Sequence, residues 1–312
     1  MKRLIIKSVL LLFPFISIVG LVEYRLRQLP NEYSYTKTAL DAKAGEVQIL
    51  ISGTSHAQNG VAPQFLALPA FNLGWGSQSL YYDTQLVLKY VDSMPNLRLV
   101  LFGISYHALE YRLTNSIEYW RSGFYSQVYG IPSEDGEQGF KLTNYSYIAL
   151  FTPKEAIRLA SGGFLGAAEA EAKRNQTPAT ITRGEVSENY GRLRVLGHES
   201  QMRQADLPAN VAALERVCAL LKRRNVSVVF ITVPTHHTYY DQINVTSYQR
   251  MQETIKQITE RSGVPYFNYL RDDRFTTEDF IDSDHLNKRG AEKFTRILNE
   301  DVVKKYAAKP SL

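Results

Sequence analysis

Cysteine is nearly absent from the sequence, since Cys218 is the single one among 312 residues. One cysteine excludes an internal disulfide and a zinc site built from several cysteines, but it leaves the compartment of the protein open. Cys218 lies in an amphipathic helical pattern over residues 214–221, where we expect a small buried side chain.

Long runs of one charge are also absent. The 36 basic and 31 acidic residues are spread through the chain and give a formal net charge of +5. Without a basic block, a nucleic-acid partner is not expected, and the small positive excess favours anionic surfaces or substrates only weakly. With 44% hydrophobic and 21% charged residues, the composition is that of a globular protein with one large domain or two small ones.

The N-terminus begins Met1-Lys2-Arg3 and continues with an apolar stretch, residues 4–22, that Lys7 and two serines interrupt. This length is near the minimum for a membrane span, and the residues at its end match a small-residue cleavage site poorly. We therefore predict a transmembrane signal anchor over residues 1–27, with the lipid bilayer as a partner through residues 4–22. The basic N-terminal end predicts export of the rest of the chain, so that the protein is single-pass and extracytoplasmic. A cleaved signal peptide and a buried N-terminal helix are the alternatives.

Residues 28–45 have no strong period and are predicted to be a tether, whereas residues 46–305 carry the pattern of one α/β domain and 306–312 form a tail. Apolar, β-branched runs that stop at glycine, proline or polar residues predict five strands, at 47–51, 70–73, 97–102, 226–233 and 264–267. Helical patterns lie at 79–91, 207–224, 247–262 and 288–305. This alternation predicts a central parallel five-stranded sheet covered by helices on both faces.

The stretch 107–204 breaks the alternation and is rich in Tyr, Gly and Ser. Because it follows the central strand, we interpret it as an inserted lid or substrate-specific subdomain on the carboxyl side of the sheet. Its Ala/Glu-rich part, residues 167–173, is predicted to be a structural helix.

Polar residues follow each predicted strand, at the edge where open parallel sheets bind ligands. Ser55 lies on a glycine-containing turn after the first strand, and His285 lies just before the last helix. A serine needs a base to accept its proton, and a carboxylate three residues before a histidine can hold the imidazole in one tautomer. Ser55, His285 and Asp282 are therefore the candidate nucleophile, base and orienting acid. Asp284 is expected to point elsewhere and to cap the following helix, and Asn287 is a second residue at which this helix could start.

These motifs resemble a known family. Gly53-Thr54-Ser55 near the start of the domain and Asp282-x-x-His285 near its end are similar to the first and last blocks of the SGNH (GDSL-like) hydrolases. More narrowly, residues 53–60, 72–74 and 284–287 resemble the membrane-anchored branch related to proteins of alginate O-acetylation and lipoteichoic acid D-alanylation. The resemblance covers about residues 46–112 and 205–305, and it implies a three-layer α/β/α, flavodoxin-like fold.

The resemblance also implies where the oxyanion would bind. Its donors would be the backbone N–H groups of Ser55 and of Gly74 or Gly76. Typical members have an asparagine in their fourth block at the position of Ser105, and an aspartate at the position of Thr54. Losing one oxyanion donor costs about 100- to 1,000-fold in rate unless another group replaces it. The hydroxyl of Ser105 is one such group, and the side chain of Asn59 is another.

Several further polar and aromatic residues near the strand ends are candidates for substrate binding. They are His56, Asn59, Trp75, Tyr106, His236 and His237. Local hydrogen bonds in a turn for His56, and a solvated loop for the pair His236-His237, are the alternatives. A metal site formed by His56, His107, His236 and His237 lacks the usual ligand spacing, so neither a metal nor a cofactor is expected.

Taken together, the residues predict a serine esterase or O-acyltransferase that acts outside the cytoplasm. The expected substrate is an acylated polysaccharide or another acyl ester, and a membrane acyl-export protein is a further possible partner. Two alternatives stay open: a catalytically silent domain that binds glycan or an envelope partner, and a metal-dependent phosphodiesterase.

Overall fold

The computed structural model describes residues 1–136, 141–151, 153–161 and 185–307. The predicted helix at 167–173 lies outside these residues. The chain divides into two compact units. We call Met1–Lys37 with Trp120–Gln176 the N-terminal unit, and Thr38–Tyr119 with Thr177–Leu312 the sheet unit. The stretch 107–204 is thus shared between the two units, and its function as a lid stays a prediction.

The sheet unit is built on five parallel strands in the order β2-β1-β3-β4-β5. The strands are β1 (Ile49–Gly53), β2 (Ala70–Asn72), β3 (Leu99–Gly103), β4 (Ser227–Thr232) and β5 (Tyr266–Asn268). The predicted five-stranded parallel sheet and the α/β class are confirmed. Every residue of β1 and β3, two of the three central strands, is buried, as expected for strands that are covered on both faces.

Helices connect the strands and precede the sheet. The longer ones are α1 (Lys2–Gln28), α2 (Glu32–Lys43), α3 (Ser55–Gly60), α4 (Leu80–Tyr90), α5 (Pro153–Ala160), α6 (Glu188–Glu199), α7 (Leu207–Arg223), α8 (His237–Tyr240), α9 (Val245–Ser262) and α10 (Lys288–Leu298). Short α- or π-helical turns lie at Ser122–Phe124, Tyr125–Tyr129, Asn299–Val303 and Lys304–Tyr306. The predicted helix over 288–305 is thus α10 followed by two such turns.

One hydrophobic core lies between the sheet and helix α10. Alternate residues of the three central strands point to the same face, because side chains alternate along a strand. On this face Ile51, Leu101 and Ile231 pack with Phe294 and Leu298 of α10. Full burial of each such side chain contributes about 1.5–3 kcal/mol, so α10 is held firmly against the strands. The residues just before α10 gain a fixed position from this packing.

Helix α1 covers the predicted membrane anchor and contains Pro14. Among the residues that the structure describes, no helix has the length and apolar character needed to cross a membrane. The predicted transmembrane helix at residues 4–22 is therefore not supported.

Within the N-terminal unit, the end of α1 is anchored to the inserted stretch. The carboxylate of Glu23 accepts hydrogen bonds from the backbone N–H groups of Tyr147 and Ile148, at 3.0 and 3.1 Å, and from Ser146 Oγ at 2.8 Å. These contacts make part of the insertion a packing partner of α1.

The predicted tether at 28–45 contains helix α2, which is a difference from the sequence-based expectation. Asn31 and Ser34 form a reciprocal cap, in which Ser34 N–H donates to Asn31 Oδ1 at 3.0 Å and Asn31 N–H donates to Ser34 Oγ at 2.9 Å. Such a cap satisfies backbone donors at the start of a helix. Leu40 of α2 is fully buried, which gives the helix a packed side despite its polar composition.

Candidate active site

Ser55 is positioned by the sharp connection between β1 and α3. Gly53 ends the strand with a φ of +147°, and a Cβ atom there would lie 2.7 Å from the carbonyl oxygen of Gly103 on β3. A side chain is excluded at this position, so the glycine allows the two strand ends to lie close together. Thr54 caps α3, accepting the His56 N–H on its Oγ1 at 3.3 Å. Ser55 is the first residue of α3 and is partly exposed at the carboxyl edge of the sheet.

His285 and Asp282 lie in line with this serine. His285 Nε2 is 2.9 Å from Ser55 Oγ, and His285 Nδ1 is 3.0 Å and 3.1 Å from the two carboxylate oxygens of Asp282. Both His285 and Asp282 are buried. Because a carboxylate only accepts, Nδ1 carries the proton and Nε2 is left to accept the proton of Ser55. The three predicted residues therefore meet in the order and orientation of a Ser-His-Asp triad, while their catalytic role stays a prediction.

The loop that carries His285 is closed by hydrogen bonds at both ends. Asn287 caps α10, accepting the N–H of Gly290 on Oδ1 at 3.0 Å, and its Nδ2 donates back to the carbonyl oxygen of Phe280 at 3.1 Å. Phe280 and Leu286 form an antiparallel bridge. The loop between them is thus fixed to the start of α10, which in turn is packed on the sheet.

Asp284 was expected to cap α10, and this expectation is wrong, because Asn287 is the cap. Asp284 is fully buried and points toward the triad. Its oxygens accept hydrogen bonds from Arg194 Nε at 3.0 and 3.1 Å and from Arg194 Nη2 at 2.8 Å, and Oδ2 lies 3.4 Å from His56 Nε2. The main-chain N–H groups of Asp284 and His285 both donate to Asp282 Oδ1, so this turn directs both carboxylates inward.

The charges around His285 set its basicity. Burial disfavours the imidazolium, but Asp284 and Asp282 outweigh this and raise the pKa of His285 above its ordinary value, while Arg194 opposes the rise. The pKa of Asp284 is held well below its ordinary value, because His285, His56 and Arg194 together outweigh the cost of burying its charge. Asp284 is therefore an ionised carboxylate, and His285 is a somewhat stronger base than a free imidazole.

Two of the predicted oxyanion donors already have partners. The N–H of Gly74 donates to Asn72 Oδ1 at 2.8 Å. Ser105 is buried, with its Oγ 2.7 Å from Thr54 Oγ1 and 3.1 Å from His56 Nδ1. For the backbone N–H groups of Ser55 and Gly76, no hydrogen bond is seen within the described ranges. These two N–H groups are the predicted donors that this arrangement leaves open.

Asn59 is also engaged. Its Nδ2 donates to the carbonyl oxygen of Ser55 at 2.8 Å, one turn earlier in α3. This contact stabilises the short helix that carries the serine. The side chain of Asn59 is thus committed to α3 rather than to an oxyanion.

The structure separates the predicted substrate-binding residues into different environments. The side chain of Trp75 is partly exposed, and its backbone N–H donates to the carbonyl oxygen of Gly53 at 2.9 Å. Tyr106 is buried in a second hydrophobic cluster with Val195 and Tyr239, so it is a core residue. The role of Trp75 in substrate binding stays a prediction.

His236 and His237 make their side-chain contacts with Thr238, Thr277 and Glu188. His236 caps α8, accepting the Thr238 N–H on Nδ1 at 3.3 Å, and its Nε2 lies 3.0 Å from Thr277 Oγ1. His237 is exposed and lies 3.7 Å from a carboxylate oxygen of Glu188. This capping contact accounts for the burial of His236, and no ligand is needed to explain it.

Four of the six histidines are joined by ring contacts, and the sequence analysis did not identify His198 as one of them. The His107 and His198 rings stack at 4.2 Å, and each lies 6.0 Å edge-on from the ring of His56. His198 Nδ1 lies 2.7 Å from Tyr239 Oη. Burial lowers the pKa of His107 to about 3 and that of His198 well below its ordinary value. These rings therefore form a polar but uncharged wall of the site.

His56, Asp284 and His285 also form a candidate metal cluster, with their ligand atoms within 4.8 Å of one another. Both oxygens of Asp284 are already bound by the Arg194 guanidinium, and His285 Nδ1 is bound by Asp282. A metal ion would have to displace a fixed positive charge and break the triad. The donor set therefore fits a hydrogen-bonded network rather than a metal ion.

Comparison with known proteins gives a partial family match and distant structural likenesses. A family model described as "Protein of unknown function (DUF1574)" matches residues 197–301. No curated protein matches the chain.

Two solved structures illustrate the structural likenesses. A GDSL-like lipase from Bacteroides thetaiotaomicron is 11% identical at a TM-score of 0.41, and the alignment covers 88% of this chain and 99% of that one. A lipase/acylhydrolase from Enterococcus faecalis is 10% identical at a TM-score of 0.39, covering 85% of this chain and 100% of that one. Likenesses this distant carry no inference about activity, which depends on the site itself.

Proposed function

We propose that the protein is a serine hydrolase or acyltransferase of the SGNH type that acts on acyl esters. The observation that carries this proposal is the continuous line from Ser55 Oγ through both nitrogens of His285 to Asp282, with contacts of 2.9 and 3.0 Å. A nucleophile within hydrogen-bonding distance of a base, and the base oriented by a buried acid, is the arrangement that activates a serine.

The geometry supports the following steps. His285 Nε2 takes the proton of Ser55 as Oγ bonds to the ester carbonyl carbon, and the carbonyl oxygen becomes an oxyanion. The N–H groups of Ser55 and Gly76 are the donors for this oxyanion. His285 then gives its proton to the leaving alcohol, which departs as the acyl-enzyme forms. Water or an acceptor hydroxyl, deprotonated by His285, attacks the acyl-enzyme and releases Ser55.

We further propose an acylated polysaccharide as the substrate and an extracytoplasmic location. The substrate proposal rests on the resemblance of residues 53–60, 72–74 and 284–287 to the polysaccharide-modifying branch. The location rests on the basic start Met1-Lys2-Arg3 before an apolar stretch. If the reaction is acyl transfer rather than hydrolysis, the partner that we propose is a membrane protein that exports acyl groups.

Reaction of the full chain with a fluorophosphonate probe tests the activated serine. We expect a single adduct, mapped to Ser55 by mass spectrometry, and its loss in Ser55→Ala. In His285→Ala the labelling rate should fall roughly 10⁴- to 10⁶-fold, because members of a triad act as a unit. Ser200→Ala, which removes an exposed hydroxyl after α6, is the matched control and should label like wild type. Full labelling of the Ser55→Ala protein would overturn the mechanism.

A second candidate function is a catalytically silent domain that binds glycan. The observation that favours it is that the Gly74 N–H and the Ser105 hydroxyl are already engaged, which leaves fewer donors for an oxyanion. A folded wild-type protein that does not react with the probe, but binds acetylated polysaccharide in calorimetry, would support this second function over the first.

A further inference from the structure

Arg194 connects the inserted stretch to the triad. It lies on α6, and its guanidinium holds the Asp284 carboxylate through three contacts of 2.8 to 3.1 Å. The Arg194 side chain is 34% exposed, whereas the carboxylate that it binds is fully buried. A bidentate arginine–carboxylate pair of this kind has a defined geometry. Asp284 therefore has a single fixed orientation, which an element outside its own loop provides.

Helix α6 is itself fixed close to the catalytic loop. Its cap Ser187 donates its N–H to Ser283 Oγ at 3.3 Å. One turn later, Gly191 lies so close to α8 that a Cβ atom would be 1.9 Å from the carbonyl oxygen of Thr238. The backbone of α6 thus has little freedom to move, and this restriction fixes the position from which Arg194 reaches Asp284.

A chain of hydrogen bonds leads from Asp284 to the residue before the serine. Because the ionised Asp284 only accepts, His56 Nε2 carries a proton and His56 Nδ1 is an acceptor. The hydroxyl of Ser105 therefore donates to His56 Nδ1 at 3.1 Å, and its oxygen accepts from Thr54 Oγ1 at 2.7 Å. In this network, assigned from the donors and acceptors present, the orientation of His56 and Ser105 depends on the negative charge of Asp284.

The same carboxylate acts on His285, which faces two acids. Its Nδ1 lies 3.0 Å from Asp282 and 3.5 Å from Asp284. The other titratable or charged groups around His285 and its two acids come from α3, α6, α8 and the turn after β3. They are His56, Tyr190, Arg194, His198, Tyr239 and His107. The histidines and tyrosines of this set are uncharged, so Arg194 is the one cation among these groups.

We infer that Arg194 is a positioning residue of the proposed reaction. By holding Asp284 it fixes His56 and Ser105 behind the nucleophile and leaves His285 with one uncompensated carboxylate, that of Asp282. This inference rests on the proposed serine chemistry. It assigns a role to the inserted stretch, which supplies the cation through α6.

The test measures how the variants shift the pH dependence of the site in the full chain. Without the cation, the imidazolium of His285 is stabilised, so the base form appears only at higher pH. In Arg194→Gln we expect the acid midpoint of probe labelling to rise by about 1 pH unit. Asp284→Asn should lower it by about 1 unit, and the double variant should return it close to wild type, because both charges are removed.

Two matched variants separate charge from geometry. Arg194→Lys keeps the charge but not the bidentate contact, so its midpoint should stay near wild type while its labelling rate falls about tenfold. Arg192→Gln removes an exposed arginine of the same helix, bonded to Asn189, and should change neither quantity. If Arg194→Gln does not fold, Arg194→Lys and the double variant still test the inference. The double variant has no unpaired buried carboxylate.

An independent readout keeps the inference distinct from the proposed function. The Cε1–H proton signal of His285, assigned by its loss in His285→Ala, reports the titration of this ring without any reaction. Midpoints that move as expected support the inference. An unmoved His285 midpoint in Arg194→Gln and Asp284→Asn overturns it, even if the rates fall. No labelling of the folded wild type overturns the serine chemistry, whatever the midpoints do.

Discussion

Ser52 Oγ donates a hydrogen bond of 2.5 Å to Asp83 Oδ1, and both side chains are buried. Gln78 Nε2 donates to the same oxygen at 2.7 Å and to the carbonyl oxygen of Leu73 at 3.0 Å. Asp83 also accepts a backbone hydrogen bond from Gly53. This carboxyl group therefore links the turn after β1 to the turn after β2.

Because Asp83 is buried, we expect the folded protein to lose stability as the pH rises. Burial, only partly offset by the hydrogen bonds from Ser52, Gln78 and Gly53, raises the pKa of Asp83 to about 7. The folded state therefore binds its proton more tightly than the unfolded state, and stability is lost as the pH rises from about 4 to about 7. The full loss should be on the order of 4 kcal/mol and should be absent from Asp83→Asn.

Urea unfolding at pH 5, 6.5 and 8 measures this effect. The difference in unfolding free energy between wild type and Asp83→Asn should be larger at pH 5 than at pH 8. Asp92→Asn, at a position where the side chain is 75% exposed, is the control and should follow the wild-type curve. A difference that is the same at all three values would show that Asp83 stays ionised throughout.

Helix α6 offers a pair of glycines that differ only in their surroundings. In Gly191→Ala the new methyl group collides with the backbone of Thr238, so we expect a loss of at least 1–3 kcal/mol in unfolding free energy. Gly197→Ala meets no atom within 4 Å and should be neutral or more stable, by up to about 1 kcal/mol. Denaturant titration of both variants checks this, and equal effects would contradict the close contact between α6 and α8.

Ser105 should contribute little to oxyanion binding. Its proton is directed to His56 Nδ1, so Ser105→Ala should lower kcat/KM on an aryl acetate by less than about 10-fold, whereas loss of a true oxyanion donor costs about 100- to 1,000-fold. Steady-state kinetics of Ser105→Ala, on protein with an unchanged melting temperature, test this prediction. A 100-fold loss in kcat/KM would show that Ser105 is an oxyanion donor.

Cys218 should be unreactive in the folded protein. Its side chain is buried on α7, and burial raises the pKa of the thiol to about 12, so little thiolate is present at neutral pH. Ellman's reagent should find no thiol in native protein and one per chain in concentrated urea. Rapid reaction of the native protein would mean that α7 opens readily from the sheet.

Local patterns were sufficient to predict the sheet, because each apolar run ends at a turn residue and its length matches a buried strand. They predicted helix ends less exactly. The helix expected from residue 247 begins at Val245, since Asn244 Oδ1 accepts the Ser247 N–H at 3.1 Å and so starts the helix earlier. Capping contacts of this kind depend on side-chain geometry that periodicity does not register.

The line of Ser55, His285 and Asp282 could be proposed from short motifs, since each motif is local and lies beside a predicted strand or helix. The role of Arg194 could not be proposed in this way, because its contact with Asp284 joins positions 90 residues apart and depends on how closely α6 packs. The one available signal is the spacing of Arg194 and His198, which places them on the same face of a helix. Asp284 was misjudged because the turn directs two nearby carboxylates inward.

The hydrogen bond between Ser55 and His285 joins residues that are 230 positions apart, and this separation has a consequence during protein synthesis. A ribosome adding 5–20 residues per second needs roughly 10 to 50 s between the two positions. During that interval Ser55 has no His285 to accept its proton. On the proposed mechanism, acyl-ester chemistry should therefore appear only once residue 285 and the last helix have emerged.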